Sequence, residues 1–236
     1  APAPSALSSP PSHWCSSSRN ATTIRTTLSS VLRIVFFGTP DFAATTLRHL
    51  IREGEQVVGV VTTPAKPQGR GLVMRPSAVQ AAADEFAIPV LTPTKHRDAA
   101  FLEALRAFEA DIFVVVAYKI LPMELITMPR LGAFNVHASL LPRYRGAAPI
   151  NWAIIHGERE TGVTTFLLDQ NIDTGTMLLT ARTEIGPDET AGELHDALMM
   201  LGADLAHKTL LGLRAGTLTR APQDSTLATQ IGRAHV

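Results

Sequence analysis

The stretch Leu131 to Trp152, L-G-A-F-N-V-H-A-S-L-L-P-R-Y-R-G-A-A-P-I-N-W, decides how the chain is read. It opens as a short strand, Ala133 to His137. Alternate residues of a strand face opposite ways. Phe134 and Val136 therefore share one face, and Asn135 and His137 the other. Burying an amide beside an imidazole costs free energy unless partners are supplied. Pro142 and Gly146 then punctuate a loop, and Pro149 is suited to open a helix. A polar pair at the carboxyl end of a strand, followed by a long loop, is where open α/β sheets bind ligands.

Working outward, apolar runs and helical periodicities alternate. Arg33 to Phe37 and Gln56 to Thr62 read as buried strands, with helical spacing from Phe42 to Ile51 between them. Thr63 to Arg75 reads as a Pro/Gly loop carrying Lys66, Arg70 and Arg75. Ser77 is a helix cap, and the helix it opens runs to Phe86. Ile88 to Val90 is a short strand, Ala99 to Phe108 a helix, Asp111 to Ala117 another buried strand, and Pro122 to Thr127 a short helix. Beyond the central stretch, Ile150 to His156 is helical. Gly162 to Leu168 and Gly175 to Glu184 are β-rich. Thr190 to Leu213 is a long amphipathic helix with a weak spot at Gly202. Alternating β and α predicts a doubly wound, mostly parallel α/β sheet, and the late β-β pair an antiparallel addition at its edge.

Composition narrows the class. The chain has 236 residues, 45% hydrophobic and 18% charged, with a formal net charge of +0. Nothing global advertises nucleic acid or an anionic membrane. Cys15 is the single cysteine, which excludes a disulfide framework and favours a reducing compartment. No apolar run reaches the roughly 18 residues of a membrane span. Residues 1–30 are rich in Ser, Thr, Pro and Ala, and read as a disordered or non-native extension. A cytoplasmic location is expected, or an organellar one if that extension is a transit peptide. Asn20 heads a sequon, but no secretory apolar segment accompanies it. Residues 31–214 are expected to form the catalytic domain and residues 215–236 a linker. The final Ile231 to Val236 back-translates without strain to a common sequencing-adapter string. The native chain is therefore expected to continue past about Thr229 into a further domain.

Several constellations are missing. No G-x-G-x-x-G follows the first strand, and Gly69-Arg70-Gly71 is not followed by the Lys-Ser/Thr of a P-loop. His49, His156, His195 and His207 lack metal-ligand spacing, and His96 beside Lys95 and Arg97 reads as a surface cluster; no metal is expected. There is no Ser or Cys on a strained elbow. What remains is Asn135, His137 and Asp173, the last in N-I-D-T-G between the two late strands. An amide donates to a carbonyl oxygen, an imidazolium stabilises a developing oxyanion, and a carboxylate orients and charges the imidazole. The nucleophile would come from the substrate.

F-F-G-T-P-D-F-A at Phe36 to Ala43, P-Q-G-R-G and P-S-A-V-Q between Pro67 and Gln80, F-N-V-H-A-S-L-L-P-R-Y-R-G-A-A-P-I at Phe134 to Ile150, and I-D-T-G at Ile172 to Gly175 together resemble the folate-dependent formyltransferase family. The resemblance runs from about Arg33 to Ala228 and is strongest to the branch acting on methionyl initiator tRNA. It implies a Rossmann-like fold and 10-formyltetrahydrofolate as formyl donor. It also implies an amine acceptor, the α-amine of a methionine esterified to initiator tRNA, and a missing C-terminal domain that helps grip tRNA. By the same resemblance Asn135 and His137 hold the oxyanion and Asp173 orients His137. Ser139, Leu140, Leu141 and Pro142, with Tyr118, Ile120 and Leu121, line the folate pocket. Gly38, Thr39, Lys66 and Arg70 lie toward the aminoacyl-tRNA end. A monomer is expected. Formyl transfer to a sugar amine or nucleotide precursor, hydrolysis of the same folate, and a folate-binding module without activity are the competing readings. Arg143 and Arg145 remain unassigned.

Without Arg19 and Arg25, 19 basic residues face 21 acidic ones. Phosphate neutralisation by Lys and Arg dominates nucleic-acid affinity, so this chain alone is predicted to bind initiator tRNA weakly. Filter binding across a salt series checks this, and a tight complex that weakens steeply with salt would contradict it.

Overall fold

A computed structural model describes residues 31–68 and 72–231. Seven strands form the central sheet: β1 (Arg33–Gly38), β2 (Gln56–Val61), β5 (Val90–Leu91), β6 (Ile112–Val116), β7 (Ala133–His137), β9 (Glu160–Leu167) and β10 (Met177–Glu184). Their order is β10-β9-β7-β6-β1-β2-β5. From β5 to β7 every neighbour is parallel; β9 runs antiparallel to β7, and β10 antiparallel to β9. The chain builds outward from β1 to β2 and β5, then crosses back to lay β6 and β7 on the other side of β1. That reversal opens a crevice at the carboxyl ends of β1 and β6.

The apolar runs form strands because both faces of the sheet are covered. Ile34 and Phe36 of β1, Ile112, Val114 and Val116 of β6, and Phe134 and Val136 of β7 enter one core. This core lies under α1 (Asp41–Arg52), α2 (Ala78–Glu85) and α6 (Ala191–Ala215). Val35 and Phe37, Phe113 and Val115, and Ala133 enter the opposite core, under α3 (Ala99–Arg106) and α4 (Met123–Ile126). Phe36, Phe37, Phe113, Phe134 and Phe166 are fully buried, each contributing about 1.5–3 kcal/mol on leaving water.

Local chemistry sets the helix ends. The Ser77 hydroxyl accepts from Gln80 N–H at the start of α2. Thr190 and Glu193 form a reciprocal capping box on α6, which stops at Gly216 with φ 65°, a left-handed value that costs glycine no steric penalty. Gly202 does not weaken α6, which runs unbroken through it. A Cβ there would sit 3.2 Å from Phe42 Cζ and 3.3 Å from Val136 Cγ1, so the missing side chain lets α6 lie against α1 and β7.

The structure departs from the sequence reading in three further places. The Pro/Gly segment after β2 contains a hairpin, β3 (Lys66–Gln68) paired with β4 (Val73–Arg75). The short strand near Pro89 is Val90–Leu91, not Ile88 to Val90. The linker-like tail does not hang free: Ala221 bridges Met177, residues 225–227 form a 3₁₀ turn, and β11 (Gln230–Ile231) pairs in parallel with β8 (Arg145–Gly146). The N-terminal extension and all but the first of the adapter-like residues lie outside the described residues. No helix among the described residues is long and apolar enough to cross a membrane.

Two glycines of α6 should respond with opposite signs. Gly202→Val overpacks the Phe42–Val136 contact and should destabilise by about 1–3 kcal/mol. Gly192→Ala, at an exposed position with no close neighbour, should stabilise by about 0.4–1 kcal/mol. Urea denaturation of both variants checks the pair.

Candidate active site

The crevice is a cavity of about 510 Å³. Pro40 and Phe42 come to it from the start of α1, Ala117, Tyr118 and Ile120 from the end of β6, and Asn135, His137 and Ala138 from the end of β7. Gly146 to Asn151, which lead into α5 (Pro149–Ile155), form another wall, Ile172 and Asp173 a third, and Ala191 and His195 of α6 the rim. Apolar walls with a few convergent polar groups are the usual composition of a small-molecule site.

Asn135, His137 and Asp173 meet here. Asn135 is half-buried on β7, and His137 is 8% exposed. His137 Nε2 lies 2.8 Å from the Tyr144 carbonyl. A carbonyl only accepts, so Nε2 carries the proton and donates it, and Nδ1 is the nitrogen left for chemistry. Nδ1 stands 3.7 Å from Asp173 Oδ2, which is ion-pair range but too long for a hydrogen bond. Asp173 is anchored instead by Gly146, whose N–H donates to Oδ2 at 2.8 Å. The imidazole is thus oriented by a backbone carbonyl of its own loop, where the sequence reading gave that task to Asp173.

The loop after β7 is built to deliver that carbonyl. Ser139 Oγ donates to Arg143 O at 2.8 Å. Thr164, fully buried on β9, donates to Ser139 O at 2.8 Å and accepts from Leu141 N–H at 3.1 Å. Tyr144 takes φ 59°, its N–H donates to Thr229 Oγ1 at 2.8 Å, and its hydroxyl bonds Glu158. Left-handed non-glycine residues recur around the cavity: Ala117, Tyr144, Ala148 and Asp173 have φ between 44° and 59°. Such backbone persists only where the surroundings over-determine it, and it gathers at functional sites.

Other sequence-predicted positions fall differently. Tyr118 and Ile120 line the cavity. Leu121, 6% exposed, packs in the core under α3 and α4. Ser139, Leu140, Leu141 and Pro142 are not among its lining residues. Ser139 is turned back onto its own loop, and Leu140 to Pro142 border a second hollow with Glu158 and Arg159. Gly38 and Thr39 sit one turn behind, with Pro40 at the wall; a Cβ on Gly38 would meet Ala43 Cβ at 2.6 Å, a packing reason for glycine. Lys66 is exposed on the β3–β4 hairpin, and Arg70 lies outside the described residues.

Several site residues carried no clear sequence signal. His195, read as surface or packing, reaches the rim and meets Phe42 edge-on at 5.6 Å. Arg143 bonds Glu158. Arg145, 9% exposed, bonds Gln223. His96 is half-buried rather than fully exposed: its Nε2 lies 3.3 Å from Tyr118 Oη, and its ring packs near Phe101. Burial pushes the Tyr118 phenol up to about 12, so it stays neutral. Burial, aided by the Lys119 charge, lowers the His96 pKa. Among the described residues no group of three or more His, Cys, Asp or Glu side chains is placed to hold a metal.

Sheet order, reversal point and cavity define an α/β protein with its ligand site at the carboxyl edge. The chain belongs to the formyl transferase family, whose profile matches residues 32–210. It is 52% identical over 197 residues to a methionyl-tRNA formyltransferase of Geobacter metallireducens, covering 83% of this chain and 63% of that protein. It is 53% identical over 194 residues to one of Parabacteroides distasonis, covering 82% and 60%. The chain thus spans less than two thirds of these relatives. In solved structures the fold recurs in glycinamide ribonucleotide transformylase 1 of Symbiobacterium toebii (TM-score 0.68, 18% identity, 84% of this chain and 96% of that one). It recurs also in an N-formyltransferase of Helicobacter canadensis in complex with folinic acid and dTDP-3-aminofucose (TM-score 0.66, 21% identity, 87% and 72%).

The His96 shift fixes a sign. Its folded pKa lies below the unfolded value, so the unfolded chain takes up the proton first. Its contribution to stability is complete above pH about 6.5 and is lost as pH falls through the folded pKa. His96→Gln should therefore lose less melting temperature than wild type between pH 7 and pH 5, as calorimetry at both values would show.

Proposed function

We propose that this chain carries the formyl-transfer site of an enzyme that moves a formyl group from 10-formyltetrahydrofolate to the α-amine of methionyl initiator tRNA. The observation that carries the reading is the convergence of Asn135, His137 and Asp173 on one apolar cavity, with no Ser, Cys, Thr or Lys among the residues that line it. The donor fits the residues present: Val136, Ile150 and Ile172 offer apolar surface to a flat ring, and an amide, an imidazole and a carboxylate stand together at one end. When bound, the folate supplies an electrophilic formyl carbon.

The protein's own part is positioning and charge. The Asn135 amide N–H donates toward the formyl oxygen. His137 keeps its Nε2 proton on Tyr144 O, so it becomes cationic only by protonation at Nδ1, on the side facing Asp173. The cation would stabilise negative charge developing on the oxygen, with the Asp173 carboxylate 3.7 Å from Nδ1 as its counter-charge. Asp173 Oδ2 is committed to Gly146; its other oxygen would take the proton that the attacking amine sheds and return it to the folate nitrogen whose bond to the formyl carbon breaks, so that the donor leaves as neutral tetrahydrofolate. The apolar walls exclude water, which favours transfer over hydrolysis.

The choice of acceptor is supported by the names of the relatives at about half identity. It is supported also by the β3–β4 hairpin, which exposes Lys66 and Arg75 beside Leu72, Val73 and Met74. Basic groups for phosphate next to apolar surface for a base suit the end of a tRNA acceptor stem. The soluble substrates fit a cytoplasmic enzyme.

The test is formyl transfer to charged initiator tRNA by wild type and His137→Ala. Loss of about a hundredfold or more in kcat is expected, with donor affinity little changed. A wild-type rate in His137→Ala would overturn the assignment.

A further inference from the structure

The tail after α6 is wired into the site. Gln223 Oε1 accepts from Arg145 Nε at 3.0 Å and from Arg145 NH2 at 2.7 Å. Gln223 Nε2 donates to Asp173 O at 2.9 Å and Gly175 O at 2.8 Å. A primary amide has two acceptor positions and two donor hydrogens; here all four are used. The partners close a ring: Gln223 holds the Asp173 carbonyl, the Asp173 carboxylate holds Gly146 N–H, Gly146 follows Arg145, and the Arg145 guanidinium returns to Gln223.

The residue types at each corner are selective. Arg145 is 9% exposed and makes no ion pair among the described residues, so a buried cation is satisfied by a neutral oxygen. Glutamate at 223 would satisfy the guanidinium better, but it would donate nothing to the two carbonyls and would set a negative charge against them. Methionine would fill the volume and bond neither side. Only an amide serves both at once. What the ring holds is also the part that needs holding: Asp173 sits at φ 53°, outside the common backbone regions. Gly175 lies so close to Leu167 O that a Cβ would come within 1.6 Å of it.

We propose that Gln223 is a positioning residue for the transfer site, fixing the Asp173 carboxylate opposite His137 by bridging the Asp173 backbone to Arg145. This rests on the formyl-transfer reading for its kinetic arm only. Gln223 touches no reacting atom; it acts through Asp173 and Gly146.

Four proteins test it: wild type, Gln223→Met, Gln223→Glu and Asp224→Ala. Asp224 caps the 3₁₀ turn of the same tail through Thr226 N–H and takes no part in the ring, so its variant loosens the tail without touching Asp173. Amide hydrogen exchange at Gly146 is followed by NMR on the ligand-free chain, beside kcat and KM for formyl transfer. Both Gln223 variants should speed Gly146 exchange by about tenfold and lower kcat by about tenfold, with donor KM within about twofold of wild type. Asp224→Ala should leave all three near wild type. Equal loss in Gln223→Met and Gln223→Glu assigns the effect to the Asp173 side, since glutamate keeps the Arg145 bond. Unchanged Gly146 exchange in both Gln223 variants, or the same acceleration in Asp224→Ala, would overturn the proposal. If wild type transfers no formyl group, the functional reading fails, while the exchange data still decide the ring. Circular dichroism confirms folding of each variant; were Gln223→Met to misfold, Gln223→Glu carries the test.

Discussion

One hydrogen bond, from His137 Nε2 to the Tyr144 carbonyl, sets the chemistry available to the site. It fixes which imidazole nitrogen holds the proton and which one meets the cavity. A ring free to flip would present either nitrogen, and the geometry toward Asp173 would be lost. The bond is made by backbone, so it depends on the course of the loop rather than on one partner side chain. That course is set by Ser139 and Thr164 from beneath, by Glu158 at the Tyr144 hydroxyl, and by Thr229 at the Tyr144 N–H. Much of what looks like loop architecture is therefore support for a single proton.

The sheet makes this support possible. Phe134 and Val136 bury on one side of β7 and cannot rotate out without opening the core. That locks Asn135 and His137 onto the opposite side, at the edge where the strand order reverses. Antiparallel β9 then brings Thr164 beneath the loop, and the β9–β10 connection carries Asp173 back over it. The late antiparallel pair is thus a delivery device for two of the site's supports.

The sheet was legible in the sequence because buried parallel strands are continuous apolar runs, and the runs at Arg33, Gln56 and Asp111 are hard to read otherwise. The polar trio was legible because amides, imidazoles and carboxylates are uncommon at such strand ends. Three things were not. The direction a loop turns is not written in its residue types, so the bonds that tie Ser139 and Leu141 to Arg143 and Thr164 could not be read there. The β3–β4 hairpin lies in a stretch whose Pro and Gly content masks alternation. The tail after α6 has no hydrophobic period; its order comes from hydrogen bonds to residues 44 to 85 positions away. Pattern reading sees local regularity, and this segment has almost none.

The pairing of Thr229 with Tyr144 also sets an order of events during synthesis. The parallel strands β1, β2, β5, β6 and β7 can pair with one another before the later chain is made, although one of their two cores closes only with α6. The loop that presents the Tyr144 carbonyl is complete only when a residue 85 positions later docks onto it. Closing such a distant contact costs chain entropy that local pairing does not. A growing chain would therefore hold its parallel strands paired before it held a finished catalytic loop, so it would not yet be able to act on its substrates.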